Sequence, residues 1–449
     1  MPGPRRHALV AYVVTGLTLV SLELPINALV PEFYTDVVGV DVGSVAAVLF
    51  AARVFDAVND PAIGALTDAT RTRIGRRRPW LLAGAMPLGI SMFALLAPPS
   101  LASAHPAAYL LVALLATDLF WTSVTVPYEA LGIEMTTTYD ERTRVLGLRD
   151  GVALAGAAVL SVVPPALAWA LRLPATPAGD RAKLATYAAI FAPLVVVACA
   201  WTAITSRERP APTAEERSAA GLGARLAAVA RNRPFWIVLG SYTLGGIATQ
   251  LPVTLHAFFV RYVLLADRAD TYLPGFVVTG VVALPFWLWL ARRTEKRTAY
   301  VAALLLSAAA QASAFAVRPG QTSLFWVMTI ASGLPFGGLL ALPNTMQGDV
   351  VDLGARQAGG RRDEGLYLGV WSVARKLAGA GGAAVGLLVL SRLGFVANAA
   401  QPPAVTTALR LLYSVVPAGV SVAAAVASLR YPIDRARHAR IVAELERGA

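Results

Sequence analysis

The sequence predicts an all-α membrane protein, and its composition and its apolar runs both favour that fold class. Of the 449 residues, 56% are hydrophobic and only 15% are charged, whereas soluble domains average about 25% charged residues. Apolar runs of about 20 residues recur along the whole chain, and such runs are long enough to cross a bilayer as helices. Alternating strand patterns, which are typical of outer-membrane barrels, do not occur in the sequence.

Twelve membrane spans are predicted, and polar or charged segments separate most of them. Their predicted limits are 8–33, 43–66, 79–99, 107–132, 150–171, 184–205, 234–264, 272–291, 299–317, 323–346, 366–390 and 406–429. The longest polar interruption divides the spans six and six. We therefore expect an N-terminal six-helix bundle (1–205), a central cytoplasmic loop (206–233), a C-terminal six-helix bundle (234–429) and a cytoplasmic tail (430–449). Two six-helix halves are the plan of the major facilitator fold.

The distribution of basic residues predicts the orientation of the chain. The net charge is +12, and arginines cluster in the short loops 67–80, 136–149, 292–298 and 349–365. The intervening loops 35–43 and 97–106 contain none, so the rule that cytoplasmic loops are basic places both termini in the cytoplasm and the chain in the inner membrane. The same distribution argues against nucleic-acid binding. Cys199, the single cysteine, lies in an apolar run and is expected in the core.

The stretch RVFDAVNDPAIG (53–64) places polar groups inside an apolar span. Asp56, Asn59 and Asp60 share one face of a helix because their spacing is three and four residues. Charged groups inside a membrane are costly and usually face a cavity or a partner. Carboxylate and amide oxygens suit small hard cations, so Na⁺, Li⁺ or H⁺ is the expected ligand. The alternative is a structural ion pair with Arg53.

Other spans carry candidate cavity residues. Asp118, Thr122 and Thr125 form one stripe of the fourth span, which predicts cavity lining or helix–helix hydrogen bonds. Glu23 and Asn27 share a face of the first span and are candidates for contact with a solute or for a structural pairing. The eleventh span contains Trp371, which can stack on a ligand or pack in the core.

Lys376 lies about ten residues into the eleventh span, near the middle of the membrane. It needs a carboxylate or a cavity there, and the carboxylates of the N-terminal half are candidates across the central cleft.

The basic loops also predict a gate on the cytoplasmic side. The arginines of 67–80 can pair with carboxylates of other loops. Such pairs would hold the cytoplasmic side of the carrier closed, and that side would open when the pairs break. The alternative is that these arginines only determine the membrane topology. The candidate gating residues are Arg53, Asp68, Arg76, Arg77, Glu134, Arg142, Asp349 and Asp352.

Four segments resemble one known family. The segments are 53–80, 33–40, 126–151 and 348–376, and they are similar to the glycoside–pentoside–hexuronide:cation symporters, the melibiose-permease-like family of the major facilitator superfamily. The resemblance implies a cation site and a coupling lysine. It places the cation on Asp56, Asn59, Asp60 and Thr122, the lysine at Lys376 and a retained arginine at Arg149. Two aspartates that bind sugar in the family are replaced by Val20 and Thr125.

We therefore expect a secondary active transporter that couples a cation to a small organic solute by alternating access, and a sugar or glycoside is the expected solute. No cofactor is expected apart from the coupling ion, which is Na⁺, Li⁺ or H⁺. The family resemblance implies a monomer. A carrier of lysolipids or other amphiphiles and a proton-coupled exporter are the alternatives. An enzyme is disfavoured, because the four His and one Cys are scattered and no phosphate-binding loop is present.

Overall fold

A computed structural model describes residues 6–99, 104–136, 139–208, 222–357 and 364–448. Within those ranges, twelve helices are long and apolar enough to cross a membrane. We number them α1 Arg6–Ala28, α2 Val42–Ala69, α3 Arg78–Leu96, α4 Pro106–Gly132, α5 Arg144–Ala170, α6 Pro177–Thr205, α7 Arg233–Leu264, α8 Ala269–Arg293, α9 Lys296–Ala316, α10 Thr322–Gln357, α11 Leu366–Arg392 and α12 Pro403–Leu429. The predicted fold class, an all-α membrane protein with twelve spans, is confirmed.

Local sequence determines where several spans begin. The Asp41 carboxylate accepts a 2.9 Å hydrogen bond from the backbone N–H of Ser44 and so caps α2. Thr176 caps α6, and Pro177 occupies the first turn of that helix. Such caps satisfy backbone N–H groups that have no partner inside the helix.

Some predicted limits are wrong because charged turns continue the helices beyond their apolar runs. α6 begins at Pro177 rather than at 184, since Lys183 is buried in an ion pair with Asp180 and Asp270 and remains in the helix. Two further helices extend past the predicted limits of the fifth and tenth spans, and they are Tyr139–Ser161 and Phe336–Gln357. The first span is predicted to end at 33, but α1 ends at Ala28. Two short helical segments, Val30–Glu32 and Phe33–Val38, follow it.

The twelve spans pack as two six-helix bundles. In the N-terminal half, α3 packs on α4 and α6, α2 on α4, and α1 on α5 and α6. In the C-terminal half, α12 packs on α7 and α9, α11 on α7, and α10 on α8 and α9. The two halves meet where α2 packs on α11 and where α5 packs on α8.

The two halves repeat one hydrogen-bonding pattern. Thr15 of α1 donates to the Ala198 carbonyl of α6 and contacts Thr202, across separations of 183 and 187 residues. Ser241 of α7 makes the same contacts with α12, to the Ala424 carbonyl and to Ser428, again across 183 and 187 residues. The first and last helices of each half are thus joined at equivalent positions.

The tail forms the helix Arg435–Gly448. Tyr431 and Ile441 are buried in the apolar cluster of the C-terminal half, so this helix is docked on that half. Cys199 is free and fully buried in α6, as predicted.

Candidate cation and solute site

Asp56, Asn59 and Asp60 lie together on α2. Asp56 and Asn59 are 4% and 7% exposed, although the helix lies in an apolar span. Pro61 follows within the helix, and because proline has no N–H, the Ala57 carbonyl has no helical donor. One turn of α2 therefore presents carboxylate, amide and backbone oxygens together.

Thr122 of α4 joins the two carboxylates. Its hydroxyl oxygen is fully buried and lies 3.2 Å from Asp56 Oδ1 and 3.0 Å from Asp60 Oδ1. Asp118, one turn earlier on α4, is 7% exposed. Within the described part of the chain, Asp118 Oδ2 and Asn59 Nδ2 are buried without a hydrogen-bond partner. Polar atoms of this kind are where a ligand can supply the missing bond.

Lys376 of α11 reaches the same carboxylates from the other half. Its Nζ lies 2.8 Å from Asp56 Oδ2 and also contacts Asp60 Oδ2. Arg53 lies 3.9 Å from the Asp56 carboxylate and donates to Asn27 Oδ1 at 2.9 Å. Two carboxylates this close together are stabilised by a positive charge between them, and here the lysine ammonium supplies that charge.

The donor set favours a hard cation. Carboxylate, amide and hydroxyl oxygens are hard ligands. Among the residues described, no group of three or more His, Cys, Asp or Glu side chains could hold a metal ion. The Lys376 ammonium occupies the place between the two carboxylates where such a positive charge would be held.

A central cavity of about 380 Å³ lies next to this cluster and is lined by both halves. Two predicted cavity residues, Asn27 and Asp118, line it. Arg53 lines it as well, so the residue assigned to gating from the sequence lies at the solute cavity instead. The cavity is large enough for a small organic solute, since ligand sites commonly measure about 300–1,000 Å³.

Three other predicted cavity residues lie outside the lining. Thr125 donates its hydroxyl to the Trp121 carbonyl of its own helix. Arg149 contacts its neighbour Asp150 at 2.7 Å, and Trp371 is 5% exposed. Trp371 stacks on Tyr242, which lines the cavity, with ring centroids 4.4 Å apart. It therefore packs against a lining residue and is not itself part of the lining. The side chain of the fourth candidate, Glu23, lies outside the described residues.

Sequence reasoning missed the contribution of α7. Tyr242, Thr249, Gln250 and Thr254 all line the cavity. Tyr242 and Thr249 are seven residues apart and Gln250 and Thr254 are four apart, which places the four side chains in a stripe along one side of the helix. Neutral hydroxyl and amide groups are common in membrane helices, and the spacing was the only available signal.

Ion pairs at the arginine-rich face join residues of the same half. Arg76 lies 2.7 Å and Arg77 3.2 Å from Glu134 Oε1. Arg77 also lies 2.5 Å from Asp68. Burial raises the pKa of Glu134 despite the two guanidinium groups. Arg142 belongs to the same predicted set, but its side chain lies outside the described residues.

Asp349 and Asp352 do not meet the arginines of 67–80 in this structure. Lys296 lies 2.6 Å from Asp349, and His438 of the tail helix lies 3.1 Å from Asp352. The Tyr431 hydroxyl lies 3.4 Å from Asp349 Oδ2. These carboxylates therefore hold the tail helix on the C-terminal half, and their pairing with the arginines of 67–80 stays a prediction for the state in which that face is closed.

Polar contacts cross between the halves at the opposite face. We call the residues Glu32, Asp36, Arg261, Tyr262 and Asn398 the gate cluster. Arg261 lies 3.0 Å from both Glu32 and Asp36. The Tyr262 hydroxyl donates to Asp36 at 2.7 Å, and Asn398 donates to the Asp36 carbonyl at 2.7 Å. Glu32 and Asp36 belong to the short helical segments Val30–Glu32 and Phe33–Val38 between α1 and α2, so the cluster ties that connection to α7 and to the loop before α12.

A second ion pair crosses the halves at the same face. Lys183 of α6 lies 2.8 Å from Asp270 of α8, and both are buried. For the described residues, ion pairs at the arginine-rich face stay within one half, whereas these pairs connect the two halves. The structure is therefore closed at the face that carries the gate cluster.

The gate carboxylates have unusual proton affinity. Burial, reinforced by the nearby Asp36 charge, raises the pKa of Glu32 to about 7. Burial also raises the pKa of Asp36, although Tyr262 and Arg261 oppose that shift. These carboxyls lie outside the membrane spans. Their protonation therefore depends on the pH on one side of the membrane.

Two six-helix bundles around a central cavity define a membrane transporter of the major facilitator class, not an enzyme. The chain belongs to the family described as MFS/sugar transport protein, which matches residues 8–435. It is similar to a symporter of Synechocystis sp., with 26% identity over 92% of each chain. It is also similar to the isoprimeverose transporter of Lactiplantibacillus pentosus, with 27% identity over 92% of this chain and 86% of that one.

The fold is also shared with solved transporters. A bacterial homologue of the human lysosomal transporter Spinster superposes with a TM-score of 0.66 and 15% identity, covering 99% of both chains. Family and fold agree with the resemblance to the glycoside–pentoside–hexuronide:cation symporters, and a symporter requires a coupling cation and a small solute.

Proposed function

We propose that this protein is a cation-coupled symporter for a sugar or glycoside. The observation that carries the proposal is the contact of Lys376 with both Asp56 and Asp60 across the two halves. Together with the guanidinium of Arg53, 3.9 Å from Asp56, the ammonium of Lys376 balances the two carboxylate charges while no cation is bound, and charges inside a membrane need such partners.

The mechanism follows from exchanging one positive charge for another. Na⁺, Li⁺ or H⁺ binds Asp56, Asn59, Asp60 and Thr122 and displaces the ammonium of Lys376. The displaced ammonium then turns toward the central cavity, where it can bind an oxygen of the solute. Each ligand raises the affinity for the other by the same factor, because coupling between two sites is reciprocal.

Transport requires the gate cluster to open while the other face closes. The loaded carrier rocks about the central cavity, and the halves that rock are proposed to be 1–205 and 234–429, joined by 206–233. The pairing of Arg76 and Arg77 within one half leaves the arginine-rich face free to open. We place that face, both termini and the tail (430–449) in the cytoplasm of a cell with the carrier in its inner membrane, and we propose a monomer.

The solute class is proposed from three lines of support. Relatives are named as symporters or as transporters of isoprimeverose, and the cavity of about 380 Å³ accommodates a mono- or disaccharide-sized molecule. Its lining offers both charged and neutral hydrogen-bonding groups, as sugar hydroxyls require. A proton-coupled exporter uses the same groups and differs in the direction of transport.

The test is thermal stability of the purified carrier in Na⁺, Li⁺ and K⁺ at several pH values. A ligand that binds only the native state raises the melting temperature. At a concentration of 100 times its Kd it adds about 2.7 kcal/mol to the free energy of unfolding. We expect selective stabilisation by Na⁺ or Li⁺, lost in Asp60→Asn and retained in the matched control Asp352→Asn. A pH response without cation selectivity identifies H⁺ as the coupling ion. No response to either rejects the symporter.

A further inference from the structure

A second, smaller cavity lies inside the C-terminal half. Its volume is about 60 Å³, and Thr249, Phe336 and Leu339 line both this cavity and the central one. One water needs about 10–15 Å³ of such volume. The space therefore accommodates several waters or one compact substituent of a molecule in the central cavity. We call it the side pocket.

The walls of the side pocket are mainly apolar. Val253, Phe276, Phe325 and Met328 contribute to them. His256 also lines the pocket, but its two ring nitrogens are engaged, at 3.1 Å from a tyrosine hydroxyl and 3.1 Å from a backbone carbonyl. An apolar wall next to a polar cavity is suited to a molecule with a polar part and a small apolar part.

Three residues that line the two cavities each have one buried polar atom without a hydrogen-bond partner among the described residues. Asp118 Oδ2 and Thr254 Oγ1 belong to residues lining the central cavity, and Gln311 Oε1 belongs to a residue lining the side pocket. Thr254 is 1% exposed. The Gln311 amide nitrogen already donates to Ser307 at 2.8 Å, so its oxygen is left to accept. For the described residues, none of these three atoms has a partner, and an unmet buried polar group costs about 1–3 kcal/mol.

Resting on the transport function proposed above, we propose that the solute is a glycoside with a short non-sugar substituent. The sugar ring occupies the central cavity, where its hydroxyls bind Asp118 and Thr254. The substituent enters the side pocket, packs on Phe325 and Met328, and donates one hydrogen bond to Gln311 Oε1. The acyl chain of a lysolipid does not fit in a pocket of about 60 Å³, so the substituent is short.

The experiment compares glucosides and xylosides that differ only in the substituent. Free sugars and their methyl, propyl and 3-hydroxypropyl glycosides are titrated against the purified full-length carrier in Na⁺, with the rise in melting temperature as the readout. For at least one sugar, we expect the 3-hydroxypropyl glycoside to bind about tenfold more tightly than the methyl glycoside, which corresponds to about 1.4 kcal/mol.

Two variants separate the side pocket from the central cavity. Ser332 lines the side pocket, and Ser332→Leu fills it, so the advantage of the longer substituents disappears while the methyl glycoside still binds. Gln311→Leu is close in size and removes the acceptor together with the amide hydrogen bond to Ser307, so propyl and 3-hydroxypropyl glycosides become equivalent. Gln311→Leu carries the test by itself if Ser332→Leu does not fold.

The outcomes distinguish this inference from the proposed function. Equal binding of all glycosides and their free sugars to the wild type overturns the side-pocket proposal and leaves symport intact. Stabilisation by Na⁺ without binding of any glycoside overturns the solute class and the side-pocket proposal with it, and leaves cation coupling intact. Absence of both cation and glycoside responses rejects the symporter as well.

Discussion

Lys376 and Asp56 connect the two halves of the carrier at the centre of its membrane spans, with the lysine Nζ 2.8 Å from Asp56 Oδ2. Asp56 is 4% exposed and belongs to α2, whereas Lys376 belongs to α11. One ion pair thus links the proposed cation site to the helix that faces it. Whatever displaces the lysine also removes a bond between the halves.

The first prediction concerns Lys376→Met. Without the ammonium, the two neighbouring carboxylates keep only the guanidinium of Arg53, 3.9 Å from Asp56, when no cation is present, and breaking a buried pair costs up to about 3–5 kcal/mol. We expect a lower melting temperature in the absence of Na⁺ and a larger rise when Na⁺ is added. In proteoliposomes, net uptake should fall at least about tenfold while solute exchange persists, because exchange never requires the empty carrier to reorient.

The matched control is Lys296→Met, since Lys296 pairs with Asp349 away from the cavity. It should change stability without changing the ratio of net uptake to exchange. Wild-type net uptake in Lys376→Met would show that the lysine has no part in the return step.

The second prediction concerns the hydroxyl of Thr122. Thr122→Val keeps the shape of the side chain but removes an oxygen that lies 3.0 Å and 3.2 Å from the two carboxylates. Hydrogen bonds to charged groups contribute about 1.5–3 kcal/mol, so Na⁺ affinity should fall roughly tenfold or more. Thr122→Ser should retain it. Na⁺ titrations of the melting temperature measure the effect.

Thr125→Val is the control for that titration, because the Thr125 hydroxyl bonds only to its own helix among the described contacts. An equal loss of Na⁺ affinity in Thr125→Val would assign the effect to helix packing instead of cation binding.

The third prediction separates solute from cation. Asp118 lines the cavity, and its Oδ2 has no partner among the described residues. Asp118→Asn should weaken glycoside binding about tenfold, by removing a charged acceptor for sugar hydroxyls. The shift in melting temperature produced by Na⁺ should stay within error of the wild type. Equal loss of both responses would place Asp118 in the cation site.

The fourth prediction concerns pH and the gate cluster. The pKa of Glu32 is raised to about 7 in the closed structure, whereas a solvated glutamate has a pKa near 4.3. A carboxyl whose pKa is raised in the closed state stabilises closure fully when the pH is below the pKa of the solvated group. That stabilisation is lost as the pH rises through about 7. Acidification from pH 8 to 5.5 should therefore favour closure.

Spin labels at Ala182→Cys and Ala399→Cys, both exposed positions on that face and one in each half, report the opening as a distance distribution. The short-distance population should grow on acidification and should become insensitive to pH in Glu32→Gln. A pH response that persists in Glu32→Gln would assign it to Asp36, whose pKa burial also raises.

Much of the architecture and the charged centre of the proposed cation site could be predicted from the sequence. Charged residues within apolar runs are conspicuous, and the spacing of Asp56, Asn59 and Asp60 determines the helix face on which they lie. Lys376 was recognisable for the same reason. Their pairing follows because each needs an opposite charge inside the membrane.

The remainder of the site could not be predicted, for two physical reasons. Thr254 and Gln250 are neutral, and neutral polar groups in a membrane helix do not reveal whether they face a cavity or a neighbouring helix. Glu32 and Arg261 lie near the ends of helices, where charges are common. Their pairing depends on how the two halves dock, which no local pattern encodes.

Thr15 and Ser241 occupy equivalent places, and their bonds span identical lengths of chain. Equal spacing of this kind is what a chain built from two repeats of one six-helix unit is expected to show. The two repeats differ in chemistry, because the carboxylates of Asp56, Asp60 and Asp118 lie in the first, whereas Lys376 and the side pocket lie in the second. The central cavity is therefore the place where two structurally equivalent but chemically different repeats meet.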